Sequence, residues 1–113
     1  MTTRSQTGKT GEDAAALHLR AAGYRIVKRN LRGPGGEIDI VAWDGATLVF
    51  IEVKTRRGRT FGSALGAVDA RKRRRLRALA ADYLQFFPPD VKARFDVLAI
   101  ERGELTLYRN AFA

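Results

Sequence analysis

Asp39, Glu52 and Lys54 stand in the pattern Asp-x12-Glu-x-Lys. Two carboxylates and a lysine at this spacing suit phosphoester chemistry if the chain between them is a β-hairpin. Glu52 and Lys54 are two apart, so on one strand they share a face, about 6.5–7 Å from each other. On the paired strand Asp39 would lie diagonal to Glu52, with Cβ atoms within about 7–8 Å. Carboxylates so placed can clamp one hard divalent cation, since Mg2+ takes one or two carboxylates and fills its octahedron with waters and phosphate oxygens. Such a cation polarises a phosphate and lowers the pKa of a bound water. Lys54 beside it can help deprotonate that water or offset charge in the transition state. Without a cation the facing carboxylates would repel. On geometry alone, a metal site and an ordinary polar edge of a sheet are equally good readings.

The hairpin that must position these groups is the clearest local signal. Glu37–Trp43 and Ala46–Thr55 are β-rich runs joined at Asp44-Gly45, a favoured dipeptide for a type I′ turn. That loop places Val41 opposite Leu48, Asp39 opposite Phe50 and Glu37 opposite Glu52. One face then carries Ile38, Ile40, Ala42, Thr47, Val49, Ile51 and Val53 and must pack on the core. The other face is apolar near the turn and charged at Glu37, Asp39, Glu52 and Lys54, which puts the carboxylates in or beside a cleft.

Around the hairpin, residues 1–9 read as a polar, flexible tail, and 10–113 as one domain. A helix is predicted from Gly11 to Ala22, with Thr10 as N-cap, Asp13 three residues on and Gly23 closing it. Tyr24–Leu31 reads as a strand, and Gly33-Pro34-Gly35-Gly36 as a turn without a phosphate-loop pattern. A basic, glycine-punctuated loop from Thr55 to Gly66 leads to a second helix, capped by Asp69, running to Phe87 and ended by Pro88-Pro89. Its apolar stripe is Leu76, Leu79, Ala80, Tyr83 and Phe87. Strands over Ala93–Glu101 and Leu105–Arg109 follow a turn pattern at Arg102-Gly103-Glu104. The order α-β-β-β-α-β-β describes an α/β domain with a mixed sheet flanked by helices.

Composition narrows the function classes. The chain has 113 residues, 21 Lys and Arg against 12 Asp and Glu, and a formal charge of +9. That length fits one domain, and 45% hydrophobic residues exclude a disordered or fibrous chain. No cysteine is present, which excludes disulfides, thiolate metal sites and cysteine nucleophiles. No uncharged run approaches the ~20 apolar residues of a membrane span, and the first residues lack the apolar core of a secretory signal. A cytoplasmic location with no membrane partner is expected. A strongly basic small domain is expected to bind polyanions, nucleic acid above all, although 16 Arg against 5 Lys also fits a compositional bias. The basic residues fall into two groups, Arg56, Arg57 and Arg59 after the catalytic strand, and Arg71, Lys72, Arg73, Arg74, Arg75 and Arg77 around the second helix's first turns. Lys72 stands four before Leu76 on the apolar stripe, so it alone points toward the sheet and the site.

Gly36-Glu37-Ile38-Asp39-Ile40 and Val49-Phe50-Ile51-Glu52-Val53-Lys54-Thr55-Arg56 resemble the PD-(D/E)xK nuclease superfamily. The match is closer to the YraN-like family of small bacterial proteins, grouped by similarity with archaeal-type Holliday junction resolvases. Gly11-Glu12, Gly23-Tyr24, Asn30, Phe61-Gly62, Lys72 and Arg94-Phe95-Asp96-Val97 also match, so the likeness spans about Gly11 to Ile100. One departure is Ile38, which stands where the superfamily has proline before the aspartate.

The resemblance implies a restriction-endonuclease-like α-β-β-β-α-β core with an added C-terminal strand. It implies Asp39, Glu52 and the Val53 carbonyl as ligands of Mg2+ or Mn2+, and Lys54 as the catalytic lysine. Glu12 matches a helix-borne glutamate that contributes to the site in the resolvase relatives. It shares a helical face with Ala15, Ala16 and Leu19, although a glutamate near a helix start also complements the dipole. Glu37 and Asp96 would support the site from behind, or pair with arginines, Asp96 with Arg94 or with an arginine of the second helix. The leading expectation is a metal-dependent endonuclease acting on DNA, branched or otherwise structured, with RNA left open. Arg56, Arg57, Arg59, Arg71, Lys72, Arg74 and Arg75 would hold the phosphate backbone. A homodimer joined through apolar residues such as Trp43 and Phe112, and a helicase or other DNA-processing partner, are compatible with it. The alternatives are a non-catalytic nucleic-acid-binding module of this fold and a protein-interaction subunit whose charge is compositional.

Overall fold

The computed structural model describes residues 4–56 and 69–112, and side chains within 11–55 and 69–112. Seven elements follow in the order α1 (Arg4–Ala21), β1 (Arg25–Gly33), β2 (Gly36–Asp44), β3 (Thr47–Arg56), α2 (Ala70–Leu84), β4 (Lys92–Glu101) and β5 (Glu104–Phe112). The strands form one sheet in the order β1-β2-β3-β4-β5. Only β3 and β4 are parallel, because α2 carries the chain back between them; the other pairs are hairpins. This is the α/β architecture expected, a mixed five-stranded sheet between two helices.

Each helix buries its own stripe on its own side of the sheet. Ala15, Ala16 and Leu19 of α1 pack with Tyr24, Ile40, Ala42, Val49, Ile51 and Leu98. Leu76, Leu79 and Ala80 of α2 pack with Ile38, Val41, Leu48, Phe50, Val97 and Phe112. Among the described residues no helix is long and apolar enough to cross a membrane.

Helix boundaries follow local chemistry with two departures from expectation. One is the end of α2 at Leu84, three residues short of Phe87, where the residues before Pro88 are steered out of helix. Asp69 caps α2, its carboxylate accepting from the Lys72 N–H at 2.9 Å. Gly23 ends α1 at φ +95°, and the Tyr24 N–H returns to the Leu19 carbonyl at 2.9 Å. The start of α1 differs from expectation. It begins at Arg4, so Thr10 lies inside it and residues 4–9 are helix rather than tail. No proline interrupts this stretch, and Gly8 alone costs only about 1 kcal/mol of helix propensity.

The hairpin register is also corrected. Asp44 pairs with Thr47, Val41 with Phe50 and Ile40 with Ile51, so the loop is Gly45-Ala46. Gly45 takes φ +61° while Ala46 does not leave negative φ, the pattern of a II′ turn with glycine first. Asp44 stays in its strand, and its carboxylate accepts from Arg94 Nη2 at 2.7 Å. The shift of two keeps every residue of β3 on its expected face. It moves Asp39 from diagonal to level with Glu52, the next positions beyond Ile40 and Ile51.

Within β2 strict alternation fails at Asp39. Ile38 joins the α2 side while Ile40 joins the α1 side, although they are two apart. The ladder between β2 and β3 stops at Ile40, and Asp39 Oδ2 accepts from the Val53 N–H at 2.8 Å. A side chain thus replaces a backbone acceptor and lets β2 turn. The expected placement of Ile38 with Ile40 is overturned for that reason. Of the two residues weighed for an interface, Phe112 is buried and packs inward, while Trp43 is half-buried against the same core. Trp43 sits edge-on to Phe87 at 5.9 Å, and the buried Phe112 stacks on Phe95 at 4.8 Å.

The β1–β2 turn lies close under α2. A Cβ at Gly33 would come within 2.6 Å of Leu79 Cδ1, and Leu79 is itself buried. Gly33→Ala is therefore expected to lower stability by about 1–3 kcal/mol, read as a lower denaturant midpoint with unchanged slope.

Candidate metal and phosphodiester site

The charged end of the hairpin opens into a cavity of about 350 Å3 on the α2 side of the sheet. Glu37, Asp39, Glu52, Lys72 and Arg75 line it, with the Gly35-Gly36 turn as part of its wall.

Glu52 is placed there by a central strand, paired on both sides, which leaves it 7% exposed. A buried carboxylate needs partners, and Glu52 Oε1 has two. Lys72 Nζ lies at 2.7 Å and Lys54 Nζ at 3.4 Å. Lys72 arrives from the first turn of α2, which Asp69 fixes. Glu52 Oε2 is buried without a hydrogen-bond partner among the described residues.

The second half of the site comes from α1, β1 and β2. One carboxylate oxygen each from Glu12, Glu37 and Asp39 lie within 4.8 Å of one another. Asn30 joins two of them. With its amide oriented to satisfy both, Nδ2 donates to Glu12 Oε1 at 3.0 Å and to Glu37 Oε1 at 2.6 Å. Asn30 does so from φ +56°, a left-handed conformation that asparagine tolerates better than most residues. Arg29 braces this side by pairing with Asp13 at 2.8 Å. Glu37 also has Arg32 at 3.8 Å, the arginine pairing weighed for it from sequence.

Crowding shifts the titrations. Burial, and then the Glu52 charge, push the Asp39 carboxyl up to about 7, against the Val53 N–H that favours its anion. Burial raises Glu12, with Arg29 opposing. Burial and the adjacent Lys72 lower Lys54, and Glu52 offsets only part of this. For Lys72 burial works downward, but the hydrogen bond to Glu52 and its charge outweigh it and raise the ammonium. Of two lysines on one oxygen, Lys54 releases its proton more readily.

The sign for stability follows from Asp39. Its folded value lies above the unfolded value near 3.8, so the metal-free fold loses stability as pH rises from about 4 to 7, and the loss is complete above that. Asp39→Asn keeps an acceptor for the Val53 N–H and removes the charge. Without divalent metal, the melting temperature of Asp39→Asn is expected to exceed that of wild type by several degrees at pH 8. The gap is expected to shrink toward pH 5.

The donor set fits a hard divalent cation. The orphaned Glu52 Oε2 and the three converging oxygens are anionic oxygen donors, the type Mg2+ and Mn2+ take. Asp39, Glu52, Glu37 and Glu12 are brought together, and Lys54 and Lys72 join them. Val53 lies beside them through its N–H bond to Asp39. Arg75 lines the cavity, while Arg71 and Arg74 are exposed on α2. Arg57, Arg59, Phe61 and the Arg56 side chain lie outside the described residues.

Asp96 is not part of this group. It is wholly buried and accepts from the Tyr24 hydroxyl (2.9 Å), Arg94 Nε (3.0 Å) and the Asn110 N–H (2.9 Å). None of these touches the carboxylate cluster, so the supporting role expected from the resemblance is replaced by the Arg94 pairing. Sequence reasoning gave Asn30 no role. Its signal was an asparagine inside a β-rich run, where that residue is depleted.

A model of the family described as "Uncharacterised protein family UPF0102" matches residues 11–100. A UPF0102 protein of Symbiobacterium thermophilum is 50% identical, covering 95% of this chain and 96% of its own. One of Moorella thermoacetica is 54% identical over 87% of this chain and 82% of its own. A third, from Frankia casuarinae, is 48% identical over 90% and 87%. With this cover and identity, the chain belongs to the UPF0102 (YraN-like) family.

Proposed function

We propose that this protein is a metal-dependent nuclease of the PD-(D/E)xK type, acting in the cytoplasm on phosphodiester bonds of DNA. The observation that carries the reading is Glu52, a buried carboxylate with one oxygen held by Lys54 and Lys72 and the other without a partner. Asp39, Glu52 and the Val53 carbonyl would hold Mg2+ or Mn2+, with Glu12 and Glu37 adjoining. The cation, when bound, supplies Lewis acidity to the phosphate and a more acidic water.

The remaining work falls to the chain's own side chains. Lys54, its proton loosened by burial, is placed to accept a proton from the attacking water. Lys72 keeps its charge and offsets the negative charge that builds on the phosphate. Arg75 at the cavity wall and the exposed Arg71 and Arg74 hold neighbouring phosphates. The Asp69 cap and the Val53–Asp39 hydrogen bond keep Lys72 and Asp39 in position. A pure binding module gains little from carboxylates facing phosphate, which favours hydrolysis over binding alone.

The test is a panel of labelled single strand, duplex, flap and four-way-junction DNA, incubated with Mg2+, Mn2+ or EDTA. Cutting of at least one substrate with metal and none in EDTA is expected. Binding with no cutting of any substrate by the purified protein would turn the assignment toward a binding module.

A further inference from the structure

Strand β1 carries four basic residues and no acidic one, Arg25, Lys28, Arg29 and Arg32. They differ in how they are engaged. Arg29 is tied to Asp13 at 2.8 Å, and Arg32 lies 3.8 Å from Glu37 at the edge of the acidic site. Arg25 and Lys28 are exposed and have no ion-pair partner among the described residues.

The pairing of β1 decides where these two point. Residues three apart on a regular strand face opposite sides. Here the register slips between Ile26 and Lys28, so that Arg25 lies opposite Trp43 and Lys28 opposite Val41. Trp43 and Val41 both belong to the cluster on the α2 side, and directly paired residues project from the same face. The bulge therefore turns two unpartnered cations onto the side of the sheet where the acidic cavity opens. Re-aiming a side chain is a known consequence of a bulge.

We propose that β1 is a second phosphate-binding surface, on which Arg25, Lys28 and Arg32 hold a duplex arm leaving the acidic cavity. The inference rests on the nucleic-acid reading above and extends it to the footprint. From Arg32, opposite Glu37, to Arg25, opposite Trp43, β2 advances six residues, roughly 20 Å. That is the length of about six phosphate steps along one duplex strand. Helix α2, which lines the cavity with Lys72 and Arg75, also exposes Arg71 and Arg74, so the reacting phosphate would be gripped from α2 as well as from β1. Lysines on an edge strand also discourage edge-to-edge pairing, but that purpose does not need both cations turned to the cavity side.

The experiment measures binding of a fluorescent 20-base-pair duplex by anisotropy against salt concentration, in EDTA. Three proteins are compared, namely wild type, Arg25→Ala/Lys28→Ala, and the control Lys92→Ala/Arg102→Ala. The control removes the same charge from exposed positions on β4 and the β4–β5 turn. Each lost phosphate contact lowers the slope of log K against log salt by about 0.9. The β1 variant is expected to lose between about one and two units of slope and at least tenfold in affinity at low salt, with the control close to wild type. Equal weakening of both variants overturns the proposal in favour of overall charge. A β1 variant indistinguishable from a wild type that does bind overturns it outright. A wild type whose binding ignores salt overturns the nucleic-acid reading itself.

Discussion

Asp96→Ala is expected to lower stability by about 3–5 kcal/mol, the usual penalty for removing one partner of a buried ion pair. Asp96 is fully buried and receives the Tyr24 hydroxyl, the Asn110 N–H and two contacts from Arg94. Without it Arg94 keeps, among the described residues, only Asp44 as an acid partner, at 2.7 Å and near the hairpin turn. The Tyr24 ring, held between Arg94 and Arg109, would lose its anchor. For a domain of this size the melting temperature should fall by roughly 10–25 °C. Cleavage per folded molecule, assayed well below the new midpoint, should stay within a few fold of wild type. A large loss of activity in protein that remains folded would place Asp96 in the chemistry after all.

Glu52→Gln is expected to behave in the opposite way, with the fold kept and metal-dependent cleavage reduced about a thousandfold, or ~4 kcal/mol of barrier. Glutamine preserves the volume in a tightly packed central strand. It removes the charge that both lysines approach and the anionic oxygen that stands without a partner. Lys54 and Lys72 would then face one another across a neutral group, so neither the metal seat nor the lysine placement survives. Circular dichroism and melting measurements on the same sample separate this from unfolding. Activity within tenfold of wild type in folded Glu52→Gln would remove Glu52 from the reaction.

Much of this arrangement was legible from residue types. The acid-x12-acid-x-lysine spacing, the alternation around it and the Leu76 stripe brought Asp39, Glu52, Lys54 and Lys72 together before any coordinates. Lys72 was placed by helical periodicity alone, four residues before a buried leucine. Three things were not legible, each for a physical reason. Asp44-Gly45 is a strong local turn signal, but Arg94, fifty residues away, competes for the Asp44 carboxylate, and the loop moves to Gly45-Ala46. The turn of β2 at Asp39 depends on a side chain replacing a backbone acceptor, which alternation cannot foresee. The role of Asn30 needs the tertiary context of a helix and two strands, because its partners Glu12 and Glu37 come from α1 and β2. The start of α1 failed differently, since a polar stretch without proline carries no local stop and its helix can extend.

Metal binding lies upstream of every catalytic statement made for this site, and it can be measured without a substrate. Mn2+ would be titrated into wild-type protein and Asp39→Asn at pH 7.5, with free Mn2+ followed by electron paramagnetic resonance. Wild type is expected to take up Mn2+ stoichiometrically with the protein, and Mg2+ to displace it. Asp39→Asn is expected to bind at least tenfold more weakly, with its fold intact. Equal binding by the two proteins, or none by wild type, would contradict a cation at this cluster and with it the hydrolytic role.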